Sequence, residues 1–156
     1  GPEPGVATNV PVVVGEPYPL LVPSVDEDGN EQAGIRLPLT TVPLATHTGW
    51  NLRHADIGGE GQILSSGGAT GGTLAGSTIP FPATRAEREA NGDPRASIEE
   101  RYASREDYLA QIKAAAEEMV GQGYVLAEDV ELLVSQASDH YVELTSRVPE
   151  AQAADD

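Results

Sequence analysis

The eight residues His47-Thr48-Gly49-Trp50-Asn51-Leu52-Arg53-His54 gather two imidazoles, the chain's single tryptophan, an amide and a guanidinium. An imidazole can take or give a proton near neutral pH, an amide or guanidinium can hold a developing anion, and an indole can wall a pocket. Acyl transfer by such a histidine also requires a nucleophile and an orienting carboxylate within hydrogen-bond reach, which closeness along the chain does not supply. The same residues have a plainer use. Trp50 can anchor the segment in an apolar groove while Asn51 and Arg53 satisfy backbone groups around it. His47, Trp50, Asn51 and Arg53 are therefore candidates for a substrate pocket or for a docking contact. His140, which precedes Tyr141 in the last predicted helix, reads as a surface or partly packed residue without a catalytic role.

Other chemistries find less footing. A serine nucleophile on a sharp strand-to-helix turn is usually written Gly-x-Ser-x-Gly, and no serine here satisfies it: Ser66 has Gly68 after it but Leu64 before it. The glycine-rich stretch is not followed by Gly-Lys-Ser or Gly-Lys-Thr, and the single lysine, Lys113, falls in a predicted helix, so a phosphate cradle is not expected. Asp26, Glu27, Asp28, Asn30 and Glu31 carry calcium-type oxygens, but their spacing departs from an EF-hand and reads as a solvated turn. With no cysteine there is no disulfide, thiolate zinc site or Cys nucleophile. Neither a metal nor a cofactor is expected. Nine basic against 25 acidic residues, a net charge of −16, oppose binding to nucleic acid or to an anionic membrane, and no apolar run is long enough to span a bilayer.

The elements that must position these residues change character along the chain. Of 156 residues 17 are Gly and 12 Pro, mostly in the first part, where short apolar runs alternate with prolines: Val12–Val14, Leu20–Val22, Ile35–Leu37 and Leu39–Leu44. Each proline removes a ladder donor, so residues 1–57 read as an extended arm with short edge strands, reversing near Asp28-Gly29-Asn30. Residues 58–77 form a glycine-rich loop without hydrophobic period. Residues 78–148 read as a helical subdomain. Thr84-Arg-Ala-Glu87 and Ser97-Ile-Glu-Glu100 have capping-box form, Asn91-Gly92 stops the first helix, and Ser104 starts a longer one. Tyr108, Leu109, Ile112, Ala115, Ala116, Met119 and Val120 give that helix a broad apolar stripe, which Gly121 and Gly123 end. A last helix, about 127–146, presents Val130, Leu133, Val134, Ala137 and Tyr141 and can pair antiparallel with its predecessor. Residues 149–156 read as a disordered acidic tail. Seven aromatic residues make a thin supply for a core.

The ordered string Tyr18-Pro-Leu-Leu-Val-Pro-Ser-Val-Asp-Glu-Asp-Gly-Asn-Glu, Ile35-Arg-Leu-Pro38 and Val42-Pro-Leu-Ala-Thr-His-Thr-Gly-Trp-Asn-Leu-Arg53 resembles the end of the bacterial α/β-hydrolase domain-containing proteins. Ile79-Pro-Phe, Thr84-Arg-Ala-Glu-Arg, Gly92-Asp-Pro-Arg and Ser97-Ile-Glu-Glu-Arg-Tyr follow in the family's order. Arginine over lysine, with much Ala, Gly and Val, also suits a GC-rich bacterial genome. Two features depart from the family pattern: His47, where the family often has tyrosine, and a longer, more glycine-rich loop over 63–75. The resemblance implies an α+β fragment, a C-terminal segment or subunit that packs on an α/β-hydrolase core outside this chain. That core would carry the serine nucleophile and its histidine and act on carboxylic esters through an acyl-enzyme, with this segment completing or covering it. The alternative is a noncatalytic binding or scaffold module derived from the same family.

Overall fold

The computed structural model describes residues 10, 11, 13, 21–51, 56 and 76–146. Of the expected features, the loop over 58–75, Arg53, His54 and the tail over 149–156 lie outside the described residues, as do most of Val12–Val14 and Leu20. The chain divides into two units, one drawn from 1–23 and 49–77, the other from 24–48 and 78–156. The second unit holds the helices described below and the strand over Ala45–Thr48.

The second unit begins with a reversal. Val25 and Glu31 form an antiparallel bridge across a turn in which Asp26 Oδ1 accepts from the Asp28 and Asn30 amides at 3.1 and 2.9 Å. Gly29 sits at φ +80° with its α-carbon facing Thr46, and a Cβ there would lie 2.8 Å from Thr46 Cγ2. Only glycine meets both the dihedral and the close approach. The expected reversal is thus present, but the expected solvated setting is not: Asp28 and Asn30 are buried.

The run Leu39–Leu44, expected to be extended, opens instead with a one-turn helix, α1 (Pro38–Thr41). Proline at the first helical position needs no amide partner and its φ is already helical, so it starts the turn that the β-branched residues after it would not. The Thr40 and Thr41 amides both donate to Leu37 O. Ile35–Leu37 forms no strand. The strand falls later, at β1 (Ala45–Thr48), and pairs antiparallel with β2 (Ser77–Pro80), which straddles the expected boundary between glycine loop and helical part.

Helices follow where local signals place them. In α2 (Arg85–Asn91) the Thr84 hydroxyl accepts from the Glu87 amide at 3.1 Å, and Gly92 closes the helix at φ +65°. In α3 (Ile98–Arg101) the Glu100 carboxylate accepts from both the amide and the hydroxyl of Ser97. Ser104 caps α4 (Arg105–Gly121) by accepting from the Asp107 amide at 3.2 Å. A 3-10 turn over Ala127–Asp129 leads into α5 (Val130–Thr145). Lys113 bonds Glu131 while Arg105, two turns earlier on α4, bonds Ser138, two turns later on α5, so the two long helices run antiparallel.

Their contact buries Tyr108, Ile112 and Ala116 of α4 with Ala137 and Leu144 of α5, while Val134 and Tyr141 pack at the edge. Val42, Leu44 and Ala45 join the same core, together with Phe81, Ile98 and Tyr102. Residues 24–48 therefore lie on the chain's own helices. The short supply of aromatics is met by concentration: the Tyr102 and Tyr108 rings meet edge-on at 5.0 Å, and Tyr108 and Tyr141 at 5.4 Å. Burial raises the Tyr102 hydroxyl to about 12, and it donates to Pro43 O at 2.9 Å. The Tyr108 hydroxyl is raised as well, again chiefly by burial. Among the described residues, no helix is long and apolar enough to cross a membrane.

Candidate functional site

β1 is fixed from both sides. The Asn30 side chain, fully buried, donates to Ala45 O at 3.1 Å and accepts from the His47 amide at 2.7 Å, so one side-chain amide satisfies two backbone groups of the strand. The Thr46 hydroxyl donates to Asp28 O. Asp28 itself takes a two-pronged ion pair from Arg101 of α3, and the Arg101 guanidinium lies over the Phe81 ring at 4.2 Å. Arg95 reaches Thr46 Oγ1 at 2.8 Å and Ile79 O at 3.0 Å while paired with Asp93, whose carboxyl that pairing holds below its ordinary range. Asp26 is likewise paired with Arg36 at 2.7 Å. Of the carboxylates that could suggest a calcium loop, Asp26 and Asp28 are thus engaged by amides and guanidinium groups of the chain.

This scaffold presents His47. The residue is half-buried, its Nδ1 stands 3.3 Å from Thr78 Oγ1 of β2, and its ring lies 6.3 Å from that of His140 on α5, the planes inclined by 39°. His47 Nε2 is buried without a hydrogen-bond partner among the described residues. Burial, and secondarily the charge of His140, lower the His47 pKa, so the ring is held neutral at pH 7. A neutral imidazole, positioned through its backbone and one ring nitrogen, is a competent proton acceptor or ligand. Acyl transfer would still require a nucleophile beside it.

The other sequence candidates are distributed differently. Trp50 and Asn51 belong to the first unit, both partly buried; there Asn51 Oδ1 accepts from the Ser77 hydroxyl, and its Nδ2 stands 3.4 Å from Gly76 O. Arg53 lies outside the described residues. His47 thus falls in the second unit and Trp50 and Asn51 in the first. The structure brings to His47 two residues that sequence reasoning did not place at a site: Thr78, and His140, read there only as a surface or partly packed residue. Nothing in local spacing marks either, since both come from distant elements.

On the second unit, a groove of about 640 Å³ runs between residues 34–42 and α4. Val42, Ala115 and Met119 are among the residues that line it, with Ile35, Arg36 and Tyr124. Ile35, Leu37 and Tyr124 are each more than half exposed, which leaves an apolar border along this side.

The described residues thus form a small α+β arrangement of five α-helices and a two-stranded antiparallel sheet, with a half-buried histidine pair and an apolar groove. The profile of the alpha/beta hydrolase domain family matches residues 3–135, most of the chain, and the chain belongs to that family. No curated protein and no solved structure matches it.

Proposed function

We propose that this chain is a C-terminal accessory segment of a bacterial α/β-hydrolase acting on carboxylic esters, completing or covering a catalytic core that supplies the serine nucleophile. The observation that carries the reading is a family match over 3–135 in a sequence without a Gly-x-Ser-x-Gly elbow. The hydrolase ancestry is in the chain; the attacking group is not in its expected frame. The exposed apolar border at Ile35, Leu37 and Tyr124 supports the reading, since such a border suits burial against another surface. In this proposal Trp50, Asn51 and Arg53 contribute docking or pocket contacts and His47 faces the completed site.

Reconstitution tests it. The core of a full-length family member, expressed without its own terminal segment, is mixed with this chain and assayed on a p-nitrophenyl ester. The expected result is no hydrolysis by the chain alone, binding to the core, and a gain in core activity. Trp50→Ala is expected to weaken binding by roughly 2 kcal/mol, as for an aromatic anchor. Hydrolysis by the chain alone, blocked by a serine-directed phosphonate, would overturn the proposal in favour of a self-contained enzyme. A core that neither binds the chain nor gains from it would leave a noncatalytic module.

A further inference from the structure

β1 and α5 meet at two imidazoles, His47 and His140, whose ring centres are 6.3 Å apart. The distance lies inside the screening length of about 8 Å at physiological ionic strength, so two charges placed there act on each other. Histidine is the side chain whose charge changes between about pH 5 and 8. The hydrogen-bonding neighbours of His47 among the described residues are uncharged. Its Nδ1 faces the Thr78 hydroxyl, its Nε2 is buried without a partner among the described residues, and its backbone amide is bound to the Asn30 side chain. The carboxylates nearest the pair in sequence, Asp139 and Glu143, stand on α5, the helix of His140, and the charged residues packed against β1 are paired with one another, Asp28 with Arg101 and Arg95 with Asp93.

We propose that His47 and His140 form a proton-operated clasp between β1 and α5: with His47 neutral the strand rests against the helix, and protonation of both rings drives the two apart. β1 runs directly into Gly49-Trp50-Asn51, so opening the clasp loosens the strand that leads to those residues. The inference does not depend on the hydrolase reading, because it concerns contacts within one unit of this chain. Burial first, then His140, lower the His47 pKa below its unfolded value of 6.5. The folded chain therefore binds that proton less readily than the unfolded chain. The stabilisation is fully present above pH 6.5 and is lost as pH falls through the folded value.

The test uses the full chain, with thermal melting followed by far-UV circular dichroism and the histidine rings titrated by NMR. The wild type, His140→Gln and a control, His54→Gln, are compared. Between about pH 8 and about pH 5 the melting midpoint of the wild type should fall by about 5 °C more than that of His140→Gln, while His54→Gln follows the wild type. In His140→Gln the His47 ring should titrate at a higher pH than in the wild type. Parallel midpoints for the wild type and His140→Gln would overturn the clasp. So would a wild-type His47 ring that titrates at or above 6.5. Should His140→Gln not fold, that wild-type ring titration decides the matter alone.

Discussion

Asn30→Ala is expected to cost the second unit about 3 kcal/mol, more than a surface asparagine in a turn would suggest. The side chain is fully buried and joins the turn to β1 through two hydrogen bonds, to Ala45 O at 3.1 Å and from the His47 amide at 2.7 Å. Truncation leaves one carbonyl and one amide without partners, at about 1–3 kcal/mol each, and water entering the vacated space recovers part of that. Asn30→Asp separates the two bonds. It keeps an acceptor for the His47 amide but turns an oxygen toward Ala45 O, so it should lose at least as much as the alanine variant. Equilibrium urea unfolding, followed by far-UV circular dichroism, should show lower midpoints at unchanged slope for both variants. If both lose less than about 0.5 kcal/mol, the range of an ordinary surface change, then Asn30 does not hold β1 and the account of how His47 is positioned fails.

Glycine positions with the same sign of φ should differ in cost. Gly29→Ala meets Thr46 Cγ2 at 2.8 Å and should lose about 2–3 kcal/mol, whereas Gly92→Ala points into open space and should lose about 1 kcal/mol. Equal shifts in melting midpoint would show that Thr46 gives way. At the start of α3, the Ser97 hydroxyl, then the Ser97 amide and Arg88, hold the Glu100 carboxyl down to about 2 from 4.5. A depressed carboxyl contributes stability that is present above pH 4.5 and is lost as pH falls toward 2. Ser97→Ala should therefore flatten the acid limb of the melting profile in that window, and an unchanged limb would place the acid sensitivity elsewhere.

The helices were legible in the sequence because their signals are local. Thr84, Ser97 and Ser104 each lie within three residues of the group they engage, and Gly92 ends α2 where Asn91-Gly92 suggested. The stripe on α4 was also readable, since helical period and burial coincide at Tyr108, Ile112 and Met119. The strands were not. β1 and β2 are four residues each, and what makes them strands is mutual pairing and the Asn30 side chain, not their own propensities. The Asp28–Arg101 pair joins residues 73 apart, and the approach of His47 to His140 depends on how α5 packs; neither leaves a trace in spacing. The reading of Leu39–Leu44 as extended failed because Pro38 favours a helical turn more than the following residues favour a strand.

Because β1 and β2 pair antiparallel, the chain leaves β1 and returns to β2 at the same end of the sheet, with residues 49–76 between them in sequence. Closure entropy grows only with the logarithm of length, so between a short turn and a connection of this length the closure term alone differs by about 2 kcal/mol. Lengthening it costs still less per residue. As far as closure is concerned, the strand pair can therefore carry connections of different length and composition, the glycine-rich sequence over 63–75 among them. The end of the sheet is in effect a graft site, where connections of different length can be joined at small cost in closure entropy.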